Sequence, residues 1–348
     1  MPSSRAISET TLYRKYRPQS FAEIIGQDEV KTVLEKAVAT KTPAHSYLFA
    51  GGRGTGKTST ARIFAHALGV SINDVYEMDA ASNRGIDDIK AIRDGVAVSP
   101  LESPWKVYII DEAHMLTKEA WNALLKTLEE PPAHVIFILA TTEFEKVPDT
   151  IISRCQVFNF KKPSLETLRA TVVDIAKREG ITLEPAAAEL IALLGDGSFR
   201  DALGVLQKVL GAKSGKISRA DVETLTGSPR GALVRDFVAG LATRNPEQSL
   251  QALHRAVADN VDVALFTTLV LDLARAVLLV RVSPATAAHL INHFSDEDKK
   301  FINTPELAAG ISSRTITALI DAAVALRATP IPQLPLELAV VNLCQSEK

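Results

Sequence analysis

The 348-residue chain reads as an α/β region followed by an all-helical remainder. Three observations predict this. Up to about residue 160, short apolar runs alternate with stretches of helical period, the mark of a doubly wound parallel sheet. Beyond Lys161-Lys162-Pro163-Ser164 only the helical period continues. A glycine-rich stretch, Gly51 to Ser59, sits between an apolar run and a helical one.

Strands are expected at Ser46–Ala50, Val75–Asp79, Lys106–Asp111, Val135–Thr141 and Gln156–Phe160. The third and fourth are continuous apolar runs, as in parallel strands covered on both faces. Helices fall between them. One runs from Thr58 to Leu68. Another, Thr117–Glu130, sets Ala120, Leu124 and Leu128 on one stripe with Trp121 and Leu125 beside it. Thr117 suits an N-cap, and Pro131-Pro132 stops the helix. Residues 164–226 predict three or four short amphipathic helices, broken near Gly180, Gly195-Asp196-Gly197 and Gly211. A turn-rich seam from Thr226 to Gly231 precedes longer helices reaching Gln345, rich in Ala, Leu and Val as in a packed bundle. Three domains are therefore expected: 1–163, 164–227 and 228–348.

Composition bounds the function. Net charge is −2, from 39 basic and 41 acidic residues, so any basic surface for nucleic acid must be local. The two cysteines, Cys155 and Cys344, form neither a disulfide framework nor a zinc set, which fits a reducing cytosol. The N-terminus lacks the apolar core of a signal peptide. The apolar stretch Leu269–Val282 is interrupted by Asp272, Arg275 and Arg281, so it is expected as a buried helix and not a membrane span. A soluble cytoplasmic protein is expected.

Gly51-Gly52-Arg53-Gly54-Thr55-Gly56-Lys57-Thr58-Ser59 matches G-x-x-x-x-G-K-[ST] at every fixed position. The glycines let backbone N–H groups curl around a triphosphate. Lys57 reaches the β- and γ-phosphates, Thr58 can hold Mg²⁺, and the following helix N-terminus adds a favourable field. The run Val107-Tyr108-Ile109-Ile110-Asp111-Glu112 is an apolar strand ending in two carboxylates. Asp111 at the tip is placed to hold Mg²⁺, and Glu112 to position or deprotonate an attacking water. Paired acids after a strand can simply cap a turn; in an α/β layout downstream of a phosphate loop, chemistry is the better reading. His114 receives no catalytic role.

Arg154, just before the fifth strand, and Arg200, opening a helix of the second region, are candidates for contacting a γ-phosphate. Spacing alone does not single these two out from ordinary surface arginines. Cys155 reads as structural.

Together these residues resemble the bacterial DNA polymerase III tau/gamma family, AAA+ ATPases of the replicative clamp loader. The resemblance is carried by Tyr13–Pro18, Ile25-Gly26-Gln27, Gly51–Ser59, Ala80–Asn83, Ile110–His114, Ala123–Pro132, Ile138–Thr142, Ile152–Cys155 and Gly197–Leu203. The last third of the chain matches only as a helical bundle of suitable length.

That resemblance implies an AAA+ ATPase domain, a small helical lid and a helical collar that joins subunits in a five-membered ring. Lys57 and Thr58 would be the Walker A pair, and Asp111 and Glu112 the Walker B pair. Thr142 would be sensor 1 and Arg200 the sensor 2 arginine acting in cis. Arg154 would be an arginine finger acting in trans on a neighbour's ATP. Arg17, Pro18 and Ile25 would line the adenine pocket. Partners would be delta- and delta-prime-type subunits, further copies of the chain, the sliding clamp and primer–template DNA, with Arg84, Lys90 and Arg93 as candidate phosphate contacts. No polymerase centre and no membrane are implied. ATP binding would favour a ring that opens the clamp, and hydrolysis on primed DNA would release it.

Two departures stand out. The family usually carries a four-cysteine zinc module after the phosphate-loop helix. Here Ala67–Val75 closes that gap without a cysteine, so no zinc is expected. The chain also stops where the bundle is expected to end, as in a short form or a truncated chain. The competing readings are a non-hydrolysing scaffold subunit, a helicase suggested by Asp111–His114, and another AAA+ DNA remodeller such as a branch-migration motor.

Overall fold

A computed structural model describes residues 11–213, 215–284, 290–292 and 294–344. The chain divides into two compact units, residues 1–168 with 195–204, and residues 169–194 with 205–348.

The first unit is built on five parallel strands: β1 (Ser46–Gly51), β2 (Val75–Asp79), β3 (Lys106–Asp111), β4 (Val135–Thr141) and β5 (Gln156–Phe160). Their order is β2-β3-β4-β1-β5. All five expected strands form, with β1 one residue longer than anticipated. Helices α1 (Leu12–Lys15), α2 (Asp28–Thr40), α3 (Lys57–Ala67), α4 (Ile86–Val96), α5 (Lys118–Glu129) and α6 (Asp149–Ile152) complete the chain order.

The period of two along each strand sorts side chains into two cores. Tyr47, Phe49, Val107, Ile109, Ile136 and Ile138 face α2 and α3, and Phe64 of α3 meets Tyr47 edge-on at 5.1 Å. Leu48, Tyr108, Ile110, Phe137 and Leu139 face the other way, against α4 and α5. The expected stripe of α5 is buried there: Ala120, Trp121, Leu124 and Leu128 lie in this core, with Leu125 partly so. Thr117 caps the helix, its Oγ1 accepting from Ala120 N at 3.2 Å. Because both faces are covered, β3 and β4 carry no polar alternation, which is why they read as unbroken apolar runs.

β1 lies between β4 and β5, although its own chain leaves toward β2 on the far side of β3. The strand order therefore reverses around β1, and a crevice opens at its carboxyl end.

In the second unit the expected absence of strands is corrected in one place. Thr182–Leu183 and Lys216–Ile217 form a two-stranded parallel ladder, too short to register in the apolar pattern. The helix Val263–Val282 is long and apolar enough, by length and composition, to cross a membrane. Phe266, Leu269, Val270, Leu273 and Val277 are nevertheless buried within the unit, and Phe266 meets Phe237 edge-on at 5.5 Å. It is a core helix. The last helix spans Leu334–Cys344, and its expected end at Gln345 lies outside the described residues.

A buried ion cluster also belongs to this unit. Asp298, 4% exposed, accepts from Arg219 Nη1 at 2.9 Å and from Arg235 Nη1 at 2.6 Å. Glu223 accepts from Arg219 Nε at 2.9 Å.

Candidate functional site

The glycine-rich loop leaves the end of β1 and turns directly into α3. Gly51 passes so close to β5 that a Cβ there would lie 2.4 Å from the Phe160 carbonyl oxygen. Gly54 has φ +67°, and a Cβ would meet Ser198 Oγ at 2.0 Å. Only a glycine permits this approach. The loop is tied down around it: Phe199 N donates to Gly54 O at 3.1 Å, Thr55 Oγ1 donates to Gly52 O at 2.9 Å, and Arg53 pairs with Asp201 at 3.5 Å. Arg200 is thereby set beside the loop, although it lies far along the chain. Its guanidinium stands over the Tyr13 ring, 5.7 Å from the centroid.

Lys57, the first residue of α3, is only 5% exposed. Its ammonium donates to Gly51 O and Gly52 O, both at 2.8 Å, leaving one of three N–H donors for a phosphate. Burial pushes its pKa down, against the opposing pull of Glu112 and Asp111.

Thr58 Oγ1 donates to Asp111 Oδ2 at 2.7 Å, joining the loop to the tip of β3. A hydroxyl and a carboxylate side by side are hard oxygen donors, a set that fits Mg²⁺ retaining water and phosphate oxygens as its other ligands. Glu112 follows with φ +48°, a left-handed backbone uncommon for a residue with a Cβ. Its Oε2 accepts from Thr142 Oγ1, at the tip of β4, at 3.0 Å. His114, given no role above, lies behind it: Nδ1 is 3.1 Å from Thr141 Oγ1, and Nε2 is 3.1 Å from Glu143 Oε1.

The segment around Ile25 is anchored by Gln27, whose amide donates to Lys161 O at 2.7 Å and accepts from Lys161 N at 3.0 Å. Ile24 is buried, and Ile25 is 45% exposed. Arg17 is half-buried; burial lowers its pKa first, and the positive charge of Arg62 adds to that. Pro18 is half-buried beside it in sequence.

Arg154 does not join this group. Gln156 pairs with Tyr47, so Arg154 lies before the start of β5, level with the beginning of β1. The phosphate loop leaves the opposite end, about 15–20 Å away at the rise of a parallel strand. Arg154 Nη2 donates to Glu129 Oε1 at 2.7 Å, and Nη1 to Thr150 O at 2.7 Å. Arg84 and Lys90 are exposed, with Lys90 paired to Asp87 at 2.8 Å, and exposed Arg93 is 3.4 Å from Asp94. Burial pushes the Cys155 thiol up to about 12, in keeping with a packing role.

Two side chains near these groups, Tyr13 and Glu129, were not singled out from the sequence, nor were the partners of His114. Tyr13 and Glu129 lie inside stretches that carried the resemblance, but nothing in a linear pattern pairs them with Arg200 or Arg154. His114 is one residue from the alanine after Glu112, and its partner Glu143 lies beyond the next strand.

Residues 70–164 match the family described as DNA polymerase III, delta subunit. The DNA polymerase III subunit tau of Bacillus subtilis is 36% identical over 365 residues, covering 98% of this chain. The chain belongs to the DNA polymerase III tau/gamma family. The gamma/tau subunit of Mycobacterium tuberculosis is 36% identical over 95% of the chain, and subunit tau of Escherichia coli 36% over 80%. The chain spans 64%, 62% and 47% of these three relatives' lengths. Among solved structures, the Thermotoga maritima RuvB Holliday junction branch migration motor aligns with a TM-score of 0.52 at 23% identity. That alignment covers 71% of this chain and 86% of RuvB. At that identity RuvB shows the fold alone.

Proposed function

We propose that this tau/gamma-family chain is an ATP-hydrolysing subunit of a bacterial replicative clamp loader, acting in the cytoplasm with delta- and delta-prime-type subunits and further copies of itself. The observation that carries the proposal is the continuous line Thr58–Asp111–Glu112–Thr142 along the strand tips, closed by hydrogen bonds of 2.7 and 3.0 Å.

In this reading the Gly51–Ser59 backbone and Lys57 bind the β- and γ-phosphates of ATP. Thr58 and Asp111 would hold Mg²⁺. When bound there, the ion offsets negative charge on the phosphate oxygens. Glu112 takes the proton of the attacking water, and Thr142 holds the glutamate in line. Arg200, braced at Gly54, contacts the γ-phosphate in cis. Exposed Ile25, with Arg17 and Pro18 near it in sequence, offers an apolar face to the adenine. The separation of Arg154 from its own phosphate loop supports a role on a neighbouring subunit's ATP, where a guanidinium offsets transition-state charge. Residues 1–163, 164–227 and 228–348 would act as ATPase, lid and collar.

The deciding measurement is ATP turnover by the assembled loader with and without sliding clamp and primed template, for wild type and Glu112→Gln. We expect stimulation by clamp and DNA in wild type, and retained binding without turnover in the variant. Undiminished turnover in Glu112→Gln would refute the assignment.

A further inference from the structure

We propose that His114 is a positioning residue for Glu112, held from behind by Glu143. The inference rests on Glu112 acting as the base in ATP hydrolysis.

Three facts carry it. The His114 side chain is 6% exposed, yet both ring nitrogens have polar neighbours. Nδ1 lies 3.5 Å from Glu112 Oε2, the oxygen that also accepts from Thr142. Nε2 lies 3.1 Å from Glu143 Oε1.

The hydrogen-bond inventory fixes one end of the ring. A carboxylate only accepts, so Glu143 requires a proton on Nε2. Thr141 Oγ1, which accepts from Glu143 N at 3.0 Å, lies 3.1 Å from Nδ1 at the other end of the ring. The ring edge bearing Nδ1 faces Glu112 Oε2 at 3.5 Å. Thr142 donates to the same carboxylate oxygen. Glu112 is thus held between the Thr142 hydroxyl and the buried ring, from a left-handed backbone that already fixes its Cβ direction. Second-layer partners of this kind set the orientation of a reacting group to within a few tenths of an ångström.

Glu143 acts only through the ring. It is bound to Lys146 at 2.8 Å, and that bond holds its carboxyl below the ordinary value. It therefore stays an acceptor across the neutral range, and the imidazole orientation with it.

The test is steady-state ATP turnover by the full chain in its assembly on primed DNA, with ATP affinity measured separately. His114→Ala should lower kcat about tenfold with ATP affinity unchanged, because the ring touches the base and not the phosphate loop. Glu143→Gln, a half-exposed site where folding is not at stake, should lower kcat about threefold. His114→Ala combined with Glu143→Gln should be no slower than His114→Ala alone, since the glutamate has no other route to the site. Unchanged kcat in His114→Ala, or additive losses in the double variant, overturns the proposal. If Glu112→Gln loses turnover while the His114 and Glu143 variants keep it, this inference fails and the ATPase reading stands. Normal turnover in Glu112→Gln removes both.

Discussion

Arg154 and Glu129 form an ion pair of 2.7 Å at the end of the sheet away from the phosphate loop. The same guanidinium also caps α6 by donating to Thr150 O, so it is held in one direction while about one-third exposed. With a third bond from Nη1 to Ser153 Oγ at 3.3 Å, three of the five donors are engaged and two are left for a phosphate from outside the chain. Arg154→Ala should therefore leave ATP affinity unchanged and lower DNA-stimulated turnover by at least tenfold. Turnover of mixed assemblies, in which only one subunit type carries the change, checks this. Full activity would remove the trans role.

Lys57→Ala should abolish measurable ATP binding, because it removes the ammonium held inside the loop against Gly51 O and Gly52 O. The fold should survive, since the lost bonds go to the loop's own carbonyls. Thermal unfolding and nucleotide titration on the same sample separate the two effects.

Proton linkage at Lys57 gives a second signature. Its pKa is depressed by burial, so between the lowered and the ordinary value the folded chain binds fewer protons than the unfolded one. The nucleotide-free fold accordingly gains stability as pH rises through that window. A bound phosphate favours the charged ammonium and reverses the depression, so ATP binding takes up protons there and affinity falls with rising pH. Calorimetric titrations in two buffers of different ionisation enthalpy should show the uptake in wild type. An equal uptake in a nucleotide-binding Lys57→Arg protein would assign it elsewhere.

Gly54→Ala should cost at least about 1 kcal/mol for the left-handed backbone alone. The added methyl also displaces Ser198 Oγ, which accepts from Asp201 N at the start of the helix carrying Arg200. The larger effect is expected on ATP affinity, read as a rise in Kd with little change in Tm. An unaltered Kd would show that the Gly54–Ser198 contact does not shape the site.

Asp298→Ala removes the buried carboxylate shared by Arg219 and Arg235, which are 14% and 23% exposed, and leaves Arg219 only Glu223. Breaking a buried pair from one side costs about 3–5 kcal/mol, well above the cost of losing a surface ion pair. Denaturant unfolding should show this loss. A change under about 1 kcal/mol would mean the two arginines find water or other acceptors.

Much of this molecule was legible from residue order because its signals are local. A strand buried on both faces must be apolar throughout, so Lys106–Asp111 and Val135–Thr141 announced their ends to the residue. The α5 stripe and its Thr117 cap follow from a period of 3.6 and a single hydroxyl. The phosphate loop needs glycines, a lysine and a hydroxyl in fixed succession, and no tertiary contact is required to see them. The short ladder Thr182–Leu183 with Lys216–Ile217 was not legible, because two residues carry no period.

Residue order alone determined where the strands begin and stop, which helix faces are apolar, and that a phosphate-binding loop precedes a strand ending in Asp111 and Glu112. Only tertiary structure decided which distant side chains meet. Sheet order and register bring Thr142 and His114 to Glu112, bind Gln27 to Lys161, and send Arg154 to the far end with Glu129. The reason is physical. Local pattern reflects one residue's preference for burial or turning, whereas a pair across strands exists only after the β2-β3-β4-β1-β5 order has been chosen by the packing of both faces.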